Sequence, residues 1–366
     1  MKSVVVVGAG PAGVSAAVTL IKAGINCTLL DRSTSPRHKT CGGALTQKSL
    51  NLIKEITEDE LPDSVILSRV QTVTALNNGK TITTLNATEP FIMTDRIKLD
   101  HWLLQKFIES GGEFIENANV LKVDTVNNTV ECSDGRRLCY DYLIGADGVR
   151  SCIRRHVTQH KTIEAFGVEA MIPVRSDRII IELGSLKDGY LWSFPNGEYT
   201  QVGLAFTYDP KFDYVGHLKN YIRNAYNYKG DIKCKGAFLP YGKMQGKSIN
   251  TQDKIWLVGD AGGFTDSLTG EGIHYGLLTG NIAGRSIIGK CDGEAEYKSI
   301  KNEIKRAYSL RTLIYGLRPI SFMIVKRVED PVKFVFENQI QHNLYNYKYL
   351  LMLKAMYKRH KQLSKT

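Results

Sequence analysis

The sequence lacks most features of membrane-spanning, secreted and metal-binding proteins. No uninterrupted apolar run approaches the roughly 20 residues that a membrane helix needs. The seven cysteines (27, 41, 132, 139, 152, 234 and 291) are scattered, odd in number and without C-x-x-C spacing, which favours reduced thiols over disulfides or zinc. The first predicted strand starts almost at the N-terminus, which leaves no room for a signal peptide. We therefore expect a cytoplasmic protein without a metal site.

Charge and composition exclude further classes. The 48 Lys and Arg residues outnumber the 37 Asp and Glu residues, giving a formal net charge of +11. Because no RNA-binding or zinc motif accompanies this charge, we expect no nucleic-acid partner, and phosphates of a cofactor or an anionic membrane are the remaining candidates. A chain of 366 residues with 43% hydrophobic residues can bury a large core and form two closely joined domains.

The first 31 residues carry the strongest pattern. Val4–Val7 predicts a strand buried on both faces. Gly8–Gly13 (GAGPAG) fits G-x-G-x-x-G, residues 14–22 have helical character, and a second strand at 25–30 ends on Asp31. This order is that of a dinucleotide-binding βαβ unit.

Each residue type in this unit has a physical role. The first glycine makes the tight turn, the second lets the backbone approach a pyrophosphate, and the third packs the helix on the strand. The helix N-terminus attracts the phosphates, and the acid accepts from a ribose hydroxyl. We expect cofactor contacts at Gly8, Gly10, Ala12, Gly13, Asp31 and Arg32.

The rest of the chain alternates in character. Helices are predicted at about 46–56 and 96–110, and residues 65–94 read as strands around the turn signal Asn77-Asn78-Gly79. Strand-like segments between 164 and 240 predict a second, mostly antiparallel sheet. Residues from about 255 return to the strand, glycine loop and helix pattern of the start.

Three separated segments share one pattern, an apolar strand followed by small residues and an aspartate. They are Gly8–Gly13 with Asp31, Gly145–Gly148 (GADG) and Gly259–Gly263 (GDAGG). In this the chain resembles the FAD-dependent flavoproteins of the p-hydroxybenzoate hydroxylase type over about residues 1–290. The resemblance implies an α/β fold, in which a Rossmann-like FAD-binding domain carries an inserted, mostly antiparallel substrate-domain sheet and is followed by a helical C-terminal part.

The same resemblance implies domain bounds and further FAD contacts. The FAD-binding domain would comprise residues 1–75, 95–160 and 250–290. Residues 76–94 with 161–249 would form the substrate domain, and 291–366 the helical region. Asp147 matches the DG motif, Gly259 and Asp260 match the GD motif whose aspartate holds the ribityl chain, and Arg96 falls where an arginine often lies near the cofactor.

A further glycine pair precedes the helix that follows Asp260. Gly270 and Gly272 flank Glu271, and an apolar stretch starts at Ile273. Glycines here would let backbone N–H groups approach a flat ring, and a helix N-terminus would stabilise the negative charge of reduced flavin. The alternative is close helix–sheet packing.

Two segments resemble a narrower family, the geranylgeranyl reductases. Lys39–Leu45 (KTCGGAL) is similar to their K-x-C-G-G-G-L loop, with Ala44 in place of the third glycine, and Tyr190–Pro195 (YLWSFP) is similar to their Y-x-W-x-F-P strand. The resemblance implies reduction of polyprenyl double bonds on flavin. The site residues it adds are Cys41, Gly42, Gly43, Ala44, Tyr190 and Trp192.

Such a reaction needs a hydride from flavin N5 at one alkene carbon and a proton at the other. Cys41 would donate that proton or gate the flavin, and the alternative is a small packing residue in a glycine loop. Trp192 and Phe194 would line the substrate side of the ring, or equally belong to the core of the inserted sheet. We expect an apolar isoprenoid or other small-molecule substrate.

Alternative functions share the FAD architecture. An FAD monooxygenase acting on an aromatic or lipid substrate, a flavin halogenase and a non-enzymatic flavin carrier stay open. Without a second G-x-G-x-x-G, the electron donor is NAD(P)H that docks transiently or a reduced carrier protein such as a ferredoxin. The basic, aromatic C-terminal region, ending in Lys354–Thr366, would contact a membrane surface or form a solvated helical cap.

Overall fold

Two large β-sheets dominate the structure, a computed structural model that describes residues 2–160, 164–186, 188–241 and 246–316. The strands are β1 (Ser3–Val7), β2 (Asn26–Leu30), β3 (Ala44–Leu45), β4 (Ile66–Asn77), β5 (Lys80–Thr94), β6 (Glu113–Ile115), β7 (Val120–Asp124), β8 (Thr129–Cys132), β9 (Arg137–Cys139), β10 (Tyr142–Gly145), β11 (Glu164–Ile172), β12 (Ile179–Glu182), β13 (Gly189–Asn196), β14 (Tyr199–Thr207), β15 (Cys234–Pro240), β16 (Ile249–Asn250) and β17 (Ile255–Leu257). The helices are α1 (Pro11–Lys22), α2 (Gln47–Thr57), α3 (Arg96–Glu109), α4 (Tyr214–Tyr226), α5 (Gly259–Gly262), α6 (Ile273–Ile287) and α7 (Gly293–Gly316).

The first sheet contains the predicted dinucleotide-binding unit. Its strand order is β16-β17-β10-β1-β2-β6, parallel throughout except at β16. The valines of β1 are buried on both faces, as a central parallel strand requires. Helix α1 packs closely on α6, because Gly280 brings its backbone against the Ala12 carbonyl oxygen. The predicted strand, glycine turn, helix and second strand are confirmed.

The second sheet has eight strands in the order β15-β11-β14-β13-β12-β4-β5-β3. Every neighbouring pair is antiparallel except β12 with β4, so the predicted mostly antiparallel sheet is confirmed. The turn between β4 and β5 falls at Asn78-Gly79, where both residues have positive φ. The predicted domain boundary at residue 75 lies inside β4, and all of β4 pairs within this sheet. Strand pairing therefore assigns residues 66–75 to the second sheet, a correction that local pattern could not reveal.

Smaller elements complete the part of the chain that is described. Strands β7, β8 and β9 form a separate antiparallel sheet, and α7 packs against α6. Between residues 2 and 316, outside the gaps, no helix has the length and apolarity needed to cross a bilayer. The basic tail Lys354–Thr366, predicted as a membrane contact or a cap, lies outside the described residues.

Candidate active site

A cavity of about 540 Å³ is lined by elements of both large sheets. Its walls include the loop after β1, the loop that precedes β3, the segments after β10 and β17, and one face of the eight-stranded sheet. This volume is in the usual range of ligand sites. The cavity therefore collects the three glycine and aspartate segments that are far apart in sequence.

Asp31 is fixed at one end of the cavity. Its carboxylate accepts hydrogen bonds from the backbone N–H groups of Ala9 (2.8 Å) and Ser33 (2.9 Å). Arg37 Nε lies 3.6 Å from the same carboxylate. Because each carboxylate oxygen accepts more than one donor, Asp31 keeps acceptor capacity for a hydroxyl in the cavity.

The glycines show whether the cavity fits a dinucleotide. A Cβ on Gly13 would lie 1.9 Å from the Gly8 carbonyl oxygen, so this glycine serves helix–strand packing, as predicted, and does not line the cavity. A Cβ on Gly10 or Gly272 would meet no atom of the chain closer than 3.6 Å and 3.5 Å, respectively. Packing of the chain does not require glycine there, so the open space over their backbones fits a bound cofactor.

The other two predicted aspartates also line the cavity. Asp147 Oδ2 accepts from the Cys152 backbone N–H at 2.7 Å, and its buried Oδ1 has no hydrogen-bond partner within the described residues. Asp260 Oδ1 accepts from Thr265 Oγ1 at 3.1 Å. Such partly satisfied carboxylates suit a ligand that carries hydroxyl groups.

The loop Lys39–Ala44 is held against the eight-stranded sheet. Gly43 has φ +70°, and its carbonyl oxygen accepts from Thr94 N at 2.9 Å. A Cβ on Gly42 would lie 2.5 Å from the Phe194 ring. Gln201 Nε2 donates to the Cys41 carbonyl oxygen at 3.1 Å. Cys41 is thereby fixed in the wall of the cavity.

Arg96 lies beside this loop as one half of a buried ion pair. Its Nε and Nη2 donate to the two oxygens of Asp100 at 2.7 and 2.8 Å. Burial alone would lower the pKa of Arg96, but Asp100 and Cys41 raise it above its ordinary value. Arg37 Nη1 approaches Asp100 to 3.7 Å. Arg96 therefore stays protonated, and its guanidinium lies within hydrogen-bonding reach of the Cys41 thiol.

Tyr190, Trp192 and Phe194 project from one face of β13 into the cavity wall. Neighbouring ring centroids are 6.0 and 6.4 Å apart, and the Tyr190 hydroxyl donates to the Thr269 carbonyl oxygen at 3.0 Å. The alternating Leu191 and Ser193 are fully buried. The structure therefore places the three rings at the cavity and the intervening side chains in the core.

A buried polar network shapes the loop before α6. Lys48 Nζ lies 2.5 Å from Glu271 Oε2, and Thr46 Oγ1 donates to Glu271 Oε1 at 2.9 Å. Asp266 accepts from the backbone of Leu268 and Thr269. Burial raises the pKa values of Asp266 and Glu271. Because Lys48 lies on α2, its ion pair with Glu271 ties the segment that holds Gly270, Gly272 and Ile273 to that helix.

The structure thus brings all the predicted site residues except Gly13 to one cavity. Sequence reasoning missed the Arg37–Asp100 contact and the cavity carboxylate Glu169. The signal for Glu169 was a charge in the middle of the otherwise apolar stretch Ala165–Ile172 of β11. Sequence reasoning also missed the apolar residues that line the sheet face of the cavity: Val73, Phe91, Ile179, Ile181, Phe238 and Leu239.

Comparison with known proteins agrees with this geometry. Residues 1–183 match the FAD-binding domain family, so the chain is an FAD-dependent flavoprotein oxidoreductase. It is 32% identical to an uncharacterized protein of Methanosarcina barkeri over 92% of this chain and 89% of that one. It is 27% identical to the chloroplastic geranylgeranyl diphosphate reductase of Nicotiana tabacum, with 78% of this chain and 66% of that one covered. The chain belongs to the geranylgeranyl reductase-type family of FAD flavoproteins.

Solved structures share the fold. A geranylgeranyl bacteriochlorophyll reductase-like protein of Thermoplasma acidophilum superposes with a TM-score of 0.79 at 22% identity, covering 93% of this chain and 94% of that one. The halogenase PltM gives a TM-score of 0.69 at 15% identity, covering 88% and 77%. Because both identities are low, these likenesses show the fold alone.

Proposed function

We propose that this protein uses FAD to saturate carbon–carbon double bonds of a polyprenyl, geranylgeranyl-type lipid. The proposal rests on the apolar lining of the part of the cavity that lies beyond the glycine motifs. Next to the glycine cradle, the cavity extends along the eight-stranded sheet over Val73, Phe91, Ile181 and Leu239. An isoprenoid chain offers only apolar surface, and a wall of aliphatic and aromatic side chains stabilises it by burial.

The residues around this apolar wall suit alkene reduction. Bound FAD would supply the hydride from N5. Trp192 and Phe194 pack against the loop that carries Cys41, and together they keep water away from the reacting carbons. Exclusion of water matters because an isolated alkene is a poor electrophile. In an open site, the reduced flavin would react with solvent protons and oxygen before it reduces the alkene.

The electron donor and the membrane contact are parts of the same proposal. Outside Gly8–Gly13 the sequence has no further G-x-G-x-x-G, which favours NAD(P)H that docks transiently or a reduced carrier protein such as a ferredoxin. A lipid substrate favours contact with a membrane surface through the basic C-terminal region, because Lys and Arg attract anionic lipid headgroups.

The test is product analysis without oxygen. The purified FAD-loaded protein is reduced with dithionite and mixed with geranylgeranyl diphosphate or a geranylgeranyl glycerolipid, and the lipid is weighed by mass spectrometry. We expect products heavier by whole hydrogen pairs. Cys41→Ala serves as the site variant, and Cys234→Ala, on β15 outside the cavity lining, is the matched control.

The result that contradicts the proposal is an unchanged lipid mass at every chain length together with full reduction of the flavin. Substrate-dependent consumption of oxygen by the same preparation, with gain of one oxygen atom in an aromatic or lipid product, would establish the monooxygenase instead.

A further inference from the structure

A carboxyl group of β11 faces the cavity and belongs to none of the glycine and aspartate motifs. Glu169 lies in the middle of an otherwise apolar strand segment and is 5% exposed. It lines the same cavity as Cys41 and Trp192. A buried acid that opens on a ligand cavity is a candidate for proton transfer, because an ionised carboxylate is poorly solvated there.

The register of the sheet places Glu169 near Trp192, one of the three aromatic side chains of β13 that line the cavity. Glu169 pairs with Gly203 of β14, and Gly203 pairs with Trp192 of β13. With strands about 4.8 Å apart, the two outer backbones are separated by about 10 Å. A Cβ on Gly203 would lie 2.1 Å from the Trp192 ring. The missing side chain therefore leaves the gap into which the indole extends towards Glu169.

The polar surroundings leave one carboxyl oxygen available. The Cys41 backbone N–H hydrogen-bonds to the Glu169 carboxyl, whereas the buried Oε2 has no hydrogen-bond partner within the described residues. The charges that act on the group are Lys235 on β15, Arg96 on α3 and Lys39 on the Cys41 loop. Burial raises the pKa of Glu169 to about 7, although these cations and the Cys41 hydrogen bond lower it.

We propose that Glu169 is the catalytic proton donor, which protonates one alkene carbon of the substrate while the other receives the hydride. This inference rests on the proposed function. The carboxyl O–H bond breaks and a C–H bond forms at the second carbon, so that the lipid gains two hydrogens, the reduced flavin loses its electron pair, and Glu169 is left as a carboxylate. A water proton that enters through the cavity mouth restores it. Cys41 then holds the carboxyl group through its backbone N–H. The role left to its thiol, which Cys41→Ala removes, is to gate the flavin.

The test compares Glu169→Gln, which keeps shape but cannot donate, with Glu169→Asp, which keeps the acid. Glu164→Gln, on the same strand but outside the cavity lining, is the matched control. In anaerobic single turnovers we expect Glu169→Gln to lower the rate of alkene saturation about 10²- to 10⁴-fold, which is the usual range for a general acid. FAD affinity and reoxidation of the reduced flavin by oxygen should stay within about twofold, because neither needs this proton.

Two further readouts separate catalysis from a structural role. The wild-type rate should fall above about pH 7, and Glu169→Gln should lack that limb. Infrared difference spectra of the FAD-loaded protein between about pH 5 and pH 9 should contain a protonated-carboxyl band that disappears in Glu169→Gln and persists in Glu164→Gln. If Glu169→Gln does not fold, Glu169→Asp should keep the falling limb at a lower rate, and its loss there contradicts the inference.

The outcomes for the two proposals are distinct. A wild-type protein that saturates no alkene overturns the proposed function and this inference with it. If the wild type saturates the lipid and Glu169→Gln keeps both the wild-type rate and the fall in rate above about pH 7, only the role of Glu169 is overturned. An unchanged infrared spectrum in Glu169→Gln also overturns only that role.

Discussion

Gly10 and Gly13 of the G-x-G-x-x-G segment predict different effects on protein stability and on FAD binding when each is changed to alanine. Gly10→Ala adds a methyl group that contacts no atom of the chain within 3.6 Å, at an ordinary φ of −83°. Without FAD we expect the free energy of unfolding to change by less than about 1 kcal/mol. Gly13→Ala adds a methyl group 1.9 Å from the Gly8 carbonyl oxygen. That overpacking should destabilise the protein itself by about 1–3 kcal/mol or more.

The effect on FAD binding is expected to be the reverse of the effect on folding. If the Gly10 methyl group occupies space that the pyrophosphate needs, a penalty of about 2 kcal/mol weakens FAD binding about 30-fold. At a free FAD concentration of about 100 times the wild-type Kd, FAD stabilises the wild type by about 2.7 kcal/mol. The same concentration stabilises Gly10→Ala by only about 0.9 kcal/mol.

Thermal unfolding of apo-protein with and without FAD, with FAD affinity from fluorescence quenching, measures both quantities. The wild type and Gly10→Ala should melt together without FAD and separate when it is added, whereas Gly13→Ala should melt early in both conditions. A Gly10→Ala variant with wild-type FAD affinity would refute the assignment of the open space over Gly10 to the cofactor.

The remaining predictions concern other parts of the cavity. Cys41→Ala should keep FAD and lose most alkene reduction in the mass-spectrometric assay, because it removes the thiol beside the buried Arg96; full activity removes Cys41 from the mechanism. Asp100→Ala should lower stability by about 3–5 kcal/mol, because it leaves Arg96 buried without its bidentate partner, and denaturant unfolding with an Asp100→Asn control checks this. Gly272→Val should lower the flavin midpoint potential in a redox titration or abolish FAD binding; an unchanged potential with full occupancy counts against a flavin contact. The Glu169 pKa is raised from 4.5 to about 7 in the folded protein. The stabilising contribution of this group is therefore complete below pH 4.5 and is lost as pH rises through about 7. The melting temperatures of the wild type and Glu169→Gln across this window should converge or cross, and a constant difference contradicts the shift.

Local sequence patterns predicted the parts of the fold that depend on local chemistry. The β1–α1–β2 unit follows from four valines, three spaced glycines and an acid, and the hairpin at Asn78 follows from residues that tolerate positive φ. The parallel pairing of β12 with β4 joins residues about a hundred positions apart. No local propensity encodes that contact, which is why the predicted boundary at residue 75 fell inside a strand.

The candidate site divides in the same way. Residues within glycine motifs, such as Gly10, Asp147 and Gly272, could be predicted because backbone geometry near a phosphate or a ring restricts the residue type. Glu169 belongs to no motif, and its position at the cavity depends on strand register across β11, β14 and β13. A charge in a buried strand signals that something must stabilise it, but only the tertiary structure shows what lies opposite.

Reoxidation of the reduced flavin by a lipid double bond decides whether the protein is an alkene reductase. Bound flavin is reduced by one equivalent of dithionite in the absence of oxygen, and its absorbance is followed after addition of a geranylgeranyl lipid or of the fully saturated phytanyl analogue. We expect the oxidised spectrum to return with the unsaturated lipid alone, with one double bond lost for each flavin reoxidised. A flavin that stays reduced with every polyprenyl lipid, and reoxidises only in air, would contradict it.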